Sequence, residues 1–98
     1  MSNAKLILKQ KMVYEDGAIV EHLIWQLPVR TVERPHGLKY RLFYGYAGRR
    51  IIGYDNEHGK GDHRHYRDKE ESYTFTTIET LIADFSNDVR HERGNYEN

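Results

Sequence analysis

The chain has 98 residues, with 15 Lys or Arg set against 15 Asp or Glu and a formal net charge of zero. Such a balance argues against non-specific nucleic-acid binding, which draws on surplus cations, and it leaves little repulsion against a homo-oligomer or a permanent partner. No cysteine is present, which excludes disulfides and zinc–thiolate centres.

The length suits one modest core, expected over residues 5–93, with residues 1–4 read as an expression-tag remnant and 94–98 as a mobile tail. No stretch approaches the roughly 20 apolar residues of a membrane span, and the start shows no signal-peptide core. A soluble cytoplasmic protein without a membrane role is expected.

In chain order, Leu6-Ile7-Leu8 opens a strand that runs to about Tyr14, and Glu15-Asp16-Gly17 predicts a hairpin turn. The next strand alternates, with Val20, His22, Ile24 and Gln26 on one face and Ile19, Leu23, Trp25 and Leu27 on the other, Glu21 being the exception. It stops at Pro28, which cannot donate to a ladder. After a polar connection from Val29 to Gly37, Leu38, Tyr40, Leu42, Tyr44 and Tyr46 share a strand face, and the tyrosines are expected beneath a helix. Ala47-Gly48 turns the chain into Arg50–Tyr54. A fifth strand is predicted from Asp62 to Tyr66, then a charged turn over Arg67–Ser72 and a short strand at Tyr73–Phe75. Thr76 and Glu79 read as a capping box. Ile78, Leu81, Ile82, Phe85 and Val89 form an apolar helical stripe, with Asp84, Asn87, Asp88 and Arg90 on the wet side and fraying near Gly94. Strands followed by one helix predict an α+β fold: an antiparallel sheet of five to six strands with a C-terminal helix on one face.

The chemistry is concentrated between Tyr54 and His65, which hold three carboxylates, three imidazoles, a Lys and an Arg around Gly59 and Gly61. Folding has little use for such a run, because it adds almost no apolar area and any buried charge needs a partner. On a strand, His63 and His65 share one face and Asp62 and Arg64 the other. Two imidazoles can serve as general base and general acid, with Arg64 or Lys60 holding a phosphate and Asp55, Glu57 or Asp62 orienting a ring. That set suffices for metal-free RNA cleavage, in which a base activates a ribose 2′-OH and an acid protonates the leaving oxygen. It needs no cofactor. Two other readings stay open. A solvated, charge-paired hairpin would make the segment part of a non-catalytic protein-binding module, and His63, His65 and a carboxylate could ligate a metal. Gly59-Lys60-Gly61 is too short for a phosphate loop.

Taken together, Tyr40-Arg41-Leu42-x-Tyr44, the run from Gly53 to His65, and Tyr73-x-Phe75 leading into Leu81-x-Ala83-Asp84-Phe85 resemble the TumE family of small prokaryotic proteins. The similarity spans Lys5 to about Val89, and its specific part is Asp55 to His65. It implies the toxin half of a toxin–antitoxin pair, a prokaryotic cytoplasmic setting and a helix-turn-helix antitoxin as partner. It implies no catalytic residues; RNA as substrate is an expectation from the imidazole cluster and from analogy with other toxins of this size.

Overall fold

A computed structural model describes residues 3–57 and 59–97, the last three of these by backbone alone. Met1 and Ser2 of the expected tag remnant and Asn98 of the expected tail lie outside the described residues. Six strands, β1 (Lys5–Val13), β2 (Ile19–Gln26), β3 (Leu38–Tyr46), β4 (Arg49–Asp55), β5 (His63–Tyr66) and β6 (Lys69–Ser72), precede one helix, α1 (Ile78–Glu97). The strands pair in sequence order as an antiparallel meander.

The short turns follow from local chemistry. At the β1–β2 turn, the Asp16 carboxylate accepts from the Ala18 amide at 3.0 Å, and the Tyr14 amide donates to the Ala18 carbonyl at 2.8 Å. Two residues connect β3 and β4, and both take positive φ, Ala47 at 52° and Gly48 at 77°. This pairing matches the twist of the flanking strands, although the left-handed region suits glycine or asparagine better than alanine.

One sheet face is apolar and carries the helix. Val20 and Ile24 of β2, Leu38, Tyr40, Leu42 and Tyr44 of β3, and Ile52 and Tyr54 of β4 are buried there against Leu81, Phe85 and Val89 of α1. The helix-face prediction therefore holds for Tyr40 and Tyr44. Tyr46 sits at the strand end and is 49% exposed.

Tyrosine hydroxyls tie helix to sheet. Tyr54 donates to Asp88 at 2.6 Å, Tyr66 to Glu92 at 3.0 Å, and Tyr73, just after β6, to Asp84 at 2.6 Å. Asp84 and Asp88 thus face the sheet edge, whereas Asn87 and Arg90 lie on the exposed side with a hydrogen bond between them. Glu92 is buried and also pairs with Arg67.

Four local expectations change. Lys69–Ser72 is a strand, leaving only Arg67-Asp68 as the turn, and Tyr73–Phe75 is irregular. Backbone pairing with β5 sets β6 despite its wholly polar side chains. The helix is capped by Thr77, whose hydroxyl accepts from the Thr80 amide at 3.0 Å, in place of Thr76 with Glu79. It also continues through Gly94 to Glu97.

Candidate functional site

β5 alternates across the sheet, which separates the polar residues that lie together in sequence. Arg64 and Tyr66 turn toward α1, and His63 and His65 turn to the face opposite the helix. Cross-strand partners share a face, so the register lays out two rows on this open face. One runs Lys9, Leu23, Arg41, Asp55, His63, Ser72. The other runs Lys11, Glu21, Phe43, Gly53, His65, Glu70.

The two imidazoles meet a shared carboxylate. Glu70 Oε2 lies 3.5 Å from His63 Nδ1 and 3.8 Å from His65 Nε2, and Asp55 Oδ2 lies 3.8 Å from His65 Nε2. Arg50 donates to His65 Nδ1 at 3.1 Å. Its path crosses Gly53, where a β-carbon would stand 2.8 Å from Arg50 Cδ. Gly53 is thus a close-approach glycine that lets the guanidinium reach the ring. Because arginine only donates, the neutral His65 ring carries its proton on Nε2, toward the carboxylates. His63 Nε2 donates to the Lys60 carbonyl, which closes the loop after Gly59. Its Nδ1 is sealed from solvent, has no hydrogen-bond partner among the described residues, and faces Glu70.

The remaining expected site residues go elsewhere. Arg64 donates from Nε to the Tyr54 hydroxyl at 2.9 Å and to Asp88 at 2.8 Å, and from Nη1 to Glu71 at 2.9 Å. It is therefore not brought to the imidazoles, since strand alternation sends it through to the helix side. Asp62 accepts from the Tyr40 hydroxyl at 2.7 Å and bonds His36 Nε2 at 3.0 Å, while His36 Nδ1 accepts from the Leu38 amide. This network holds the β4–β5 loop against the β2–β3 connection. Burial and the Asp62 carboxylate push the Tyr40 hydroxyl far above its usual range. Lys60 and Glu57 are exposed in the loop, linked by the Lys60 amide donating to the Glu57 carbonyl at 3.2 Å. Asn56 is buried, receiving the Tyr40 amide and donating to the Leu38 carbonyl, so its side chain extends the β3–β4 ladder.

Arg50, Arg41 and Glu70 were absent from the sequence-derived set, yet they stand with the histidines. Period-two alternation through β3, β4 and β5, once aligned, would have placed Arg41, whereas Glu70 lies on β6, whose polar sequence does not announce a strand. The bend of Arg50 over Gly53 has no sequence signal beyond the glycine itself. Among the described residues, no group of three or more His, Cys, Asp or Glu side chains is arranged to hold a metal ion. No helix among them is long and apolar enough to cross a membrane.

The site can offer a ring nitrogen held by a cation, a second ring held by a carboxylate, and cationic groups on both sides. That supply suits proton transfer beside an anionic group. Residues 3–93 match the family model described as Toxin TumE. No curated protein and no solved structure matches the chain.

Proposed function

The chain belongs to the toxin TumE family, and on that premise we propose that it is a toxin component that cuts RNA at the open-face histidines without a metal. The observation that carries the reading is the Arg50–His65 contact at 3.1 Å, beside His63 on the same face. A phosphodiester drawing Arg50 onto its oxygens would free His65 Nδ1 to take the ribose 2′-OH proton. The 2′-oxygen then bonds phosphorus as the 5′-oxygen leaves. His63 would supply the proton to that leaving oxygen from Nε2 once RNA displaces the Lys60 carbonyl, with Nδ1 facing Glu70. Asp55 and Glu70 orient the rings, and Lys60 and Arg41 add phosphate contacts. Arg50 takes the phosphate role expected of Arg64. Asp62 and Glu57 hold the loop that frames the site.

Family membership also supports a protein antitoxin as partner; we take that partner to be of helix-turn-helix type and the setting to be a prokaryotic cytoplasm. A second reading, the non-catalytic binding module, is favoured by one contact: His63 Nε2 is committed to the Lys60 carbonyl, as a loop clamp would be. Purified protein incubated with RNA in chelator distinguishes the two. Cleavage that disappears in His63→Ala and in His65→Ala, with circular dichroism unchanged, supports the catalytic pair. No cleavage by the wild type, with antitoxin binding intact in the double variant, supports the module.

A further inference from the structure

A cavity of about 460 Å³ opens on the same face, next to the histidines, and the chemistry above draws on its lining only at Arg41 and Asp55. Leu23 and Trp25 of β2, Lys39 and Arg41 of β3, Asp55 of β4 and the following Glu57 line it. Trp25 is opposite Lys39 in the ladder, and Arg41 is opposite Asp55, which is itself opposite His63. The cavity therefore runs into the catalytic row through Asp55. β3 and β5 are two strand spacings apart, about 10 Å, a distance that a short piece of single-stranded RNA spans.

We propose that this cavity binds one nucleotide unit of the RNA chain beside the scissile phosphate, its base against Trp25 and its phosphate on Lys39 and Arg41. The proposal rests on the ribonucleolytic reading and names the substrate subsite it requires. A half-buried indole ring offers a stacking plane for any base. Lys39 is exposed and has no ion pair among the described residues, so its ammonium is available to a phosphate. Arg41 is held in place by Glu21 at 3.2 Å and by the Phe43 ring at 4.8 Å from its guanidinium carbon. Its position is thus set before a ligand arrives. Asp55 and Glu57 accept from amino hydrogens on a base edge. Local placement of cations reconciles RNA binding with zero net charge, because Lys9, Lys11, Lys39, Arg41 and Arg50 outnumber Glu21, Asp55, Glu57 and Glu70 on this face.

Trp25 is the only tryptophan, so its emission reports the subsite directly. Full-length His65→Ala protein is titrated with a short single-stranded oligoribonucleotide. The expected results are quenching of Trp25 and, in the added Lys39→Ala background, a salt dependence of log K shallower by about 0.7. In the otherwise wild-type enzyme, Trp25→Leu should raise KM at least about fivefold with kcat little changed, the loss expected of one stacked base. Cleavage by the wild type with no quenching, or with KM unchanged in Trp25→Leu, overturns the subsite and spares the catalytic reading. Lys39-dependent quenching by a protein that cuts nothing overturns the catalytic reading and keeps the subsite. Neither cleavage nor quenching overturns both.

Discussion

Arg64 and Asp88 form an ion pair at 2.8 Å across the interface between β5 and α1, on the sheet face opposite the histidines that flank Arg64 in sequence. The same carboxylate oxygen accepts from Tyr54, and Arg64 also donates to that hydroxyl. Arg64 is raised still further above the usual arginine range, chiefly by its bond to Asp88. One arginine therefore ties the helix to β5 while the histidines on either side of it lie on the other sheet face.

Arg64→Ala should accordingly act on stability. Among the described residues it leaves Asp88 with only Tyr54 as hydrogen-bond partner, and loss of charged hydrogen bonds of this kind costs about 2 kcal/mol. Chemical denaturation should show that loss, and RNA cleavage per folded molecule should stay near the wild-type rate. A large fall in cleavage with stability unchanged would place Arg64 at the site after all.

Gly53→Ala probes the open face without removing a functional group. The new methyl would stand 2.8 Å from Arg50 Cδ, the flexible part of a long side chain, so the guanidinium moves and the backbone does not. Thermal stability should hold, since alanine restricts the unfolded chain more than glycine does. Cleavage should fall about tenfold, and Arg50→Ala should lower it about 100-fold, the scale of one lost electrostatic contact. Kinetics of the two variants, measured beside their melting curves, decide this.

The sequence shows the framework of this arrangement more clearly than the site. Alternation over Ile19–Gln26, the Asp16-Gly17 turn and the stripe from Ile78 to Val89 each depend on neighbours close in the chain, and each appears where the pattern puts it. β6 escapes pattern reading because Lys-Glu-Glu-Ser buries nothing and is a strand only through backbone bonds to β5. Asp84 and Asp88 look solvent-facing on a helical wheel because the tyrosines that claim them arrive from the sheet. For the candidate site, the run from Asp55 to His65 draws attention to the histidines, but alternation then parts them from Arg64 and joins them to Arg50 and Glu70.

Below neutrality, His22 should limit stability. Burial beside Phe85, with ring centroids 5.4 Å apart, lowers its pKa from 6.5, and its Nδ1 has no partner among the described residues. A depressed folded-state pKa means the contribution is complete above 6.5 and is lost as pH falls from there through the folded-state value. Melting temperature should drop in that window, and His22→Leu should flatten this part of the profile. An identical acid limb in the variant would assign the effect elsewhere.

Above pH 10 the tyrosine ties should fail. Desolvation, followed by the bond to a carboxylate, raises Tyr40, Tyr54, Tyr66 and Tyr73, with Tyr66 pushed up to about 12. Raised folded-state values make this stability complete below 10, the ordinary tyrosine value, and progressively lost as pH climbs through the folded values. Denaturant midpoints between pH 9 and 12 should fall with a slope of more than one proton, and Tyr66→Phe should reduce that slope. A flat midpoint over this range would contradict the assignment.

The chemical structure of the RNA ends bears most directly on whether the paired imidazoles drive attack by the ribose 2′-OH. After incubation with the wild-type protein in chelator, the fragments should carry 2′,3′-cyclic phosphate and 5′-hydroxyl termini, with both absent after incubation with His65→Ala. Fragments ending in 3′-hydroxyl and 5′-phosphate, or intact RNA with the wild-type protein, would contradict it.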